Sequence, residues 1–127
     1  MTNVMTKPRS IAEAEAVMDS IRGFYAAWET AEDEEDLLQQ MREYPAGYAV
    51  RSGWSQIGEP LDPSEYCLTI SGGGPSVRIT GSFDLSGDAS TARLEHQDWG
   101  TPWSELPLVA DDEQTLLWFA QQVGPFA

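Results

Sequence analysis

Apolar residues recur every three or four positions from Ile11 through Ala14, Val17, Met18, Ile21, Phe24, Tyr25 and Trp28, the spacing that lays one stripe along one side of an α-helix. Ser10 followed by Glu13 has the capping-box spacing, so a helix is expected to open at Ser10. The pair Thr30 and Asp33 repeats that signal ahead of a shorter helix with Leu37, Leu38 and Met41 on its apolar side, closed by Pro45 and Gly47. From Tyr48 onward the period becomes two. Four strands follow from it, marked by Tyr48 and Val50; by Tyr66, Leu68 and Ile70; by Val77, Ile79 and Phe83; and by Ala92, Leu94 and His96.

The turns at 72–75 and 85–88 are short enough to join consecutive strands as hairpins, which makes the sheet an antiparallel meander. Pro60 and Pro63 mark residues 54–64 as a loop, and Pro102 and Pro107 do the same for residues 100–108. A last helix is expected after the cap pair Asp111 and Gln114, with Leu116, Leu117, Ala120 and Val123 inward and Gly124 and Pro125 as its stop. Residues 1–9 show no periodicity and are expected to form a flexible tail. Residues 10–127 are expected to be a single α+β domain, an antiparallel β-meander of about four strands with N-terminal helices and a C-terminal helix packed on it.

Charge changes the picture of what this domain meets. The 127 residues hold 21 Asp and Glu against 7 Lys and Arg, for a formal net charge of -14. A chain so acidic repels phosphates and anionic headgroups, so the expected partner is a basic protein or protein complex, with no direct nucleic acid and no membrane. Solubility alone is a sufficient reason for such a charge in many proteins. At 41% hydrophobic residues, with five Trp, the chain is too apolar for a disordered acidic tail. Cys67 is the only cysteine, which excludes an intramolecular disulfide and a cysteine-based zinc site. With no signal-peptide core and no long apolar run in the sequence, the expected location is the bacterial cytoplasm.

Catalytic constellations are sparse, and no enzyme activity, catalytic residue, metal or cofactor is expected. The one histidine, His96, falls on the same strand face as Leu94, where a half-buried structural role is the usual one. His96 and Asp98 lie two apart and point the same way, but two ligands do not make a metal site. The segment Gly72-Gly73-Gly74-Pro75 lacks the lysine and the following helix of a phosphate-binding loop and reads as a turn.

Binding features are richer. The run Glu32, Asp33, Glu34, Glu35, Asp36 opens the second helix, where carboxylates favour the positive end of the helix dipole. Opposite Leu37 and Met41, a helix at 100° per residue presents Glu32, Asp36 and Glu43 in a narrow arc. They rise in steps of about 6 and 10 Å, comparable with phosphate spacing along a nucleic-acid strand. A solvated polar face explains the same residues. On the first helix Ala12, Ala16, Gly23 and Ala27, flanked by Glu15 and Asp19, form a small-residue side open to a close helix approach or to nothing but water. The stretch Asp98-Trp99-Gly100-Thr101-Pro102-Trp103 places two Trp in a Gly-Pro loop near Glu95 and Glu105, the composition of an aromatic anchor for Arg or Lys. Folding back of either Trp over the sheet is the alternative. The candidate partner-binding residues are Glu32, Asp33, Glu35, Asp36, Glu43, Asp98, Trp99 and Trp103.

The strings YCLTISGGGPSVRI (66–79) and ARLEHQDWGTPWSEL (92–106), with the closing DDEQTLLWFAQQ (111–122), resemble a family of small acidic proteins carried by phages and other mobile elements. Proteins of that kind are similar to the anti-CRISPR proteins of type I systems. The resemblance implies an inhibitor that binds a type I Cascade surveillance complex through an acidic, DNA-mimicking surface and blocks target DNA binding. It assigns no catalytic motif. Two other readings remain beside it: a DNA-mimicking inhibitor of another defence nuclease, and a phage accessory or adaptor domain that binds protein through Trp99 and Trp103.

Overall fold

The structure, a computed structural model, describes residues 9–72 and 74–124. Its elements run α1 (Arg9–Thr30), α2 (Glu34–Glu43), β1 (Gly47–Ser52), β2 (Pro63–Ser71), β3 (Ser76–Ser82), β4 (Arg93–Gln97), β5 (Ser104–Glu105) and α3 (Asp112–Val123). The expected α+β architecture is present: three helices and one antiparallel sheet in the order β1-β2-β3-β4-β5. The expected flexible tail lies outside the described residues except for Arg9, which opens α1.

Register follows the period-two pattern. Leu68 pairs with Ile79 and Ile79 with Leu94, while Tyr66 faces Gly81 and Val77 faces His96. These residues share the face that the helices cover, and all the apolar ones among them are buried. Against them α1 lays Ala14, Val17, Met18 and Ile21, and α3 lays Leu116, Phe119, Ala120 and Val123. Each fully buried Leu, Ile or Phe contributes about 1.5–3 kcal/mol of transfer free energy, so this interlayer seam is the main source of stability.

Five details depart from the sequence reading. First, Ser10 is not the N-cap of α1; it sits inside the helix and is buried at 2% exposure. Second, the cap of α2 is Asp33, whose Oδ1 accepts the Asp36 amide at 3.1 Å, while Thr30 is the last residue of α1. Third, residues 63 and 64, expected in a loop, begin β2. Fourth, residues 104–105, also expected in a loop, add a fifth strand through Glu95 opposite Glu105 and His96 opposite Ser104. A two-residue strand offers no alternation to read. Fifth, β3 and β4 are joined by a long excursion in which Phe83 bridges Ala89 and the Asp84 carboxylate accepts the amides of Ser86 and Asp88. The turn proper is 85–88, as expected, but the strands part before it.

Glycine at 81 is a packing requirement. A Cβ there would collide with the Thr91 carbonyl oxygen and lie 2.7 Å from the Tyr66 ring, because Tyr66 crosses β3 to donate its hydroxyl to Thr91 O at 2.6 Å. Burial pushes the Tyr66 hydroxyl well above its ordinary pKa. No helix among the described residues is long and apolar enough to cross a membrane.

Candidate functional site

Charge is divided between the two layers. Residues 9–44 and 111–124, the helical layer and its caps, carry thirteen of the 21 acidic residues against three arginines. Among those arginines Arg22 is already held by two carboxylates, Asp19 at 2.6 Å and Asp112 at 2.7 Å. The expected acidic residues Glu32, Asp33, Glu35, Asp36 and Glu43 are all exposed. They do not form one helical stripe, however. Glu32 precedes the cap and lies off the helix, and Asp33 spends its carboxylate on the cap. Asp36 and Glu43 remain on one side of α2, where each accepts a hydrogen bond from a glutamine four residues away, Gln40 and Gln39 respectively. Those bonds leave both negative charges uncompensated.

The Trp loop separates into three different fates. Trp99 stands out in solvent at 91% exposure. Trp103 folds back on the open face of the sheet, with the Arg78 guanidinium 3.9 Å above its ring. Asp98 turns inward: its Oδ1 accepts the Ser10 amide at 3.1 Å and its Oδ2 accepts the Ser10 hydroxyl at 2.9 Å. That carboxylate therefore fastens the first turn of α1 to the end of β4, where the helix dipole also favours it. Between the two expected modes, projection and folding back, the loop uses both.

His96 completes the Ser10 cluster, with Nδ1 2.9 Å from the Ser10 hydroxyl oxygen. The three residue types are those of a hydrolytic triad, but the connectivity differs. In a triad the imidazole takes the serine proton and the carboxylate orients the imidazole. Here the carboxylate accepts from the serine itself, at its amide and its hydroxyl, instead of orienting the imidazole. Both Ser10 and His96 are buried. The cluster docks a helix.

Sequence reading passed over the open face of the sheet. Three of the chain's seven basic residues gather there: Arg51 on β1, Arg78 on β3 and Arg93 on β4. They alternate with carboxylates, Arg51 with Glu65 at 2.6 Å, Arg78 with Glu95 at 2.8 Å, and Arg93 with Glu95 at 3.9 Å. The Arg51 hydrogen bond holds the Glu65 carboxyl below its ordinary range. This ladder encloses a shallow recess of about 290 Å³ that also touches Cys67 and Thr80. The signal that would have found it is the complement of the core pattern, since the residues between the buried ones on β2, β3 and β4 must share the opposite face. The face is close to neutral, in contrast to the helical layer.

Among the described residues, no group of three or more His, Cys, Asp or Glu is placed to hold a metal ion. No protein-family model matches the chain, and neither the curated proteins nor the solved structures yield a match.

Proposed function

We propose that this chain is a non-catalytic binding protein that sets its acidic helical layer against a basic, nucleic-acid-binding surface of a larger complex and so competes with nucleic acid for it. In the specific form that the quoted strings favour, it is an anti-CRISPR inhibitor that occupies the DNA-binding groove of a type I Cascade in the cytoplasm of a bacterial host. The observation that carries the reading is the segregation of charge: thirteen carboxylates on the helical layer, five of them consecutive at 32–36, against a sheet face whose arginines are internally neutralised. Complementary fields of this kind speed association and weaken with salt.

Reversal of Glu32, Asp36 and Glu43 to Lys tests it. All three side chains are exposed, so the fold is expected to survive, as circular dichroism will report. The triple variant is expected to lose its competition with target DNA for purified Cascade, and wild-type competition is expected to fall steeply between about 50 and 200 mM salt. Undiminished, salt-independent competition by the variant removes the proposal. The exposure of Trp99 supports the adaptor reading as the second choice; there, Trp99→Ala abolishes binding and salt has little effect.

A further inference from the structure

On the helical layer α1 and α3 leave an open groove of about 430 Å³ between them, lined by Tyr25, Glu29, Asp111, Thr115 and Trp118, with Arg22 at its edge. Trp118 is the wall. Tyr25 lies against it at a ring-centroid distance of 5.1 Å and a tilt of 36°, and Trp28 meets it edge-on at 5.7 Å and 67°. The three rings are half-buried, so they are fixed by packing and still present π surface to solvent. Tyr25 was expected in the apolar row of α1, but its partner comes from a helix more than 90 residues later, and no local pattern announces the pair.

Around the rings the charge is negative. Glu29 and Asp111 are exposed and take part in no ion pair among the described residues, while the single cation, Arg22, is saturated by Asp19 and Asp112. An apolar side chain entering the groove would desolvate these carboxylates with nothing in return. A cation gains twice, from the ring faces and from the carboxylates. Guanidinium suits the geometry better than ammonium, because it is planar, stacks on indole and is more weakly hydrated.

We infer that the groove between α1 and α3, walled by Tyr25 and Trp118 and rimmed by Glu29 and Asp111, is a docking site for an arginine side chain of a basic protein segment. The inference rests on the acidic-layer reading above and names the contact that holds the partner once long-range attraction has brought it in. Its area is too small to bind tightly alone, so it supplies selectivity.

The probe is a fluorescein-labelled glycine-serine peptide bearing arginines, compared by anisotropy with its lysine counterpart at about 0.15 M salt. Wild-type protein is expected to prefer the arginine peptide by about fivefold, the ratio a half-exposed cation–π contact supplies. Trp118→Leu is expected to erase that preference. The pair Glu29→Gln with Asp111→Asn, both exposed positions, is expected to weaken both peptides at least about threefold. In two-dimensional nitrogen-proton spectra the arginine peptide is expected to shift the Trp118 indole signal. If Trp118→Leu fails to fold, the exposed double variant and the indole shift decide. Equal binding of both peptides by wild type, a preference that survives Trp118→Leu, or an unmoved indole signal overturns the groove alone. Binding of neither peptide overturns the groove together with the acidic-layer reading.

Discussion

Asp112 ties α3 to α1 across 90 residues of chain, and its replacement by alanine isolates that tie. The carboxylate accepts Arg22 Nε–H at 3.0 Å and a second guanidinium N–H at 2.7 Å, and it also accepts the Val109 amide at 3.2 Å. Its side chain is 9% exposed, whereas that of Arg22 is 43% exposed. The cost of removing it lies between two limits. Breaking a fully buried pair costs about 3–5 kcal/mol because an unpaired charge is stranded, and a surface pair is worth about 0–1 kcal/mol. Arg22 can rehydrate and keeps Asp19, so the upper limit does not apply; the buried carboxylate and the orphaned Val109 amide exclude the lower one. We expect a loss of about 2 kcal/mol, read as a shifted urea midpoint and a melting temperature lower by about 6–10 °C.

The pH dependence of that loss has a definite sign. The Arg22 hydrogen bonds hold the Asp112 carboxyl below its ordinary range, with burial opposing them and the Val109 amide assisting. A carboxyl depressed in the folded state stabilises fully above its unfolded pKa of about 4 and loses that contribution as pH falls through the folded value. The gap between wild type and Asp112→Ala is therefore complete at neutral pH and narrows below about pH 4. A cycle with Arg22→Ala should return a coupling of about 1–2 kcal/mol. A variant within about 0.5 kcal/mol of wild type at neutral pH, or a gap that acid leaves unchanged, would refute the reasoning.

Two further substitutions probe the sheet and its junction with α1. Gly81→Ala is expected to cost about 3 kcal/mol or more in thermal unfolding, since the new methyl meets the Thr91 carbonyl and the Tyr66 ring rather than open space; a loss under about 1 kcal/mol would show that the Tyr66 crossing is not rigid. Ser10→Ala is expected to cost about 1–2 kcal/mol in urea unfolding, because it leaves a buried His96 nitrogen and one Asp98 oxygen unmet. A neutral Ser10→Ala would mean that the Asp98 contact with the Ser10 amide alone seats the helix.

The helices, the meander and the faces that β2, β3 and β4 bury were written in the sequence because period and burial are local: Leu68, Ile79 and Leu94 alternate on their strands whatever lies above them, and Ala14, Val17, Met18 and Ile21 form a stripe on any helix. The alternation of Tyr48 and Val50 marked β1 as a strand, yet both are exposed, because no helix covers that edge. The charge of -14 was likewise legible from composition, as were the exposure of Asp36 and Glu43 and the closing helix. What a residue does with its charge was not. Asp98 and Asp112 looked like members of one acidic population, yet they seat α1 and bind Arg22, because each depends on a donor whose position only folding fixes. The same holds for Trp99, Trp103 and Trp118, identical in the sequence and respectively free in solvent, covered by Arg78 and walled by Tyr25. Hydrophobic periodicity needs only neighbours along the chain, whereas pairing of a charge or stacking of a ring needs a partner brought from far away in the sequence. The sequence accordingly determined the layers, and the tertiary structure decided which acids and aromatics remain available to a partner.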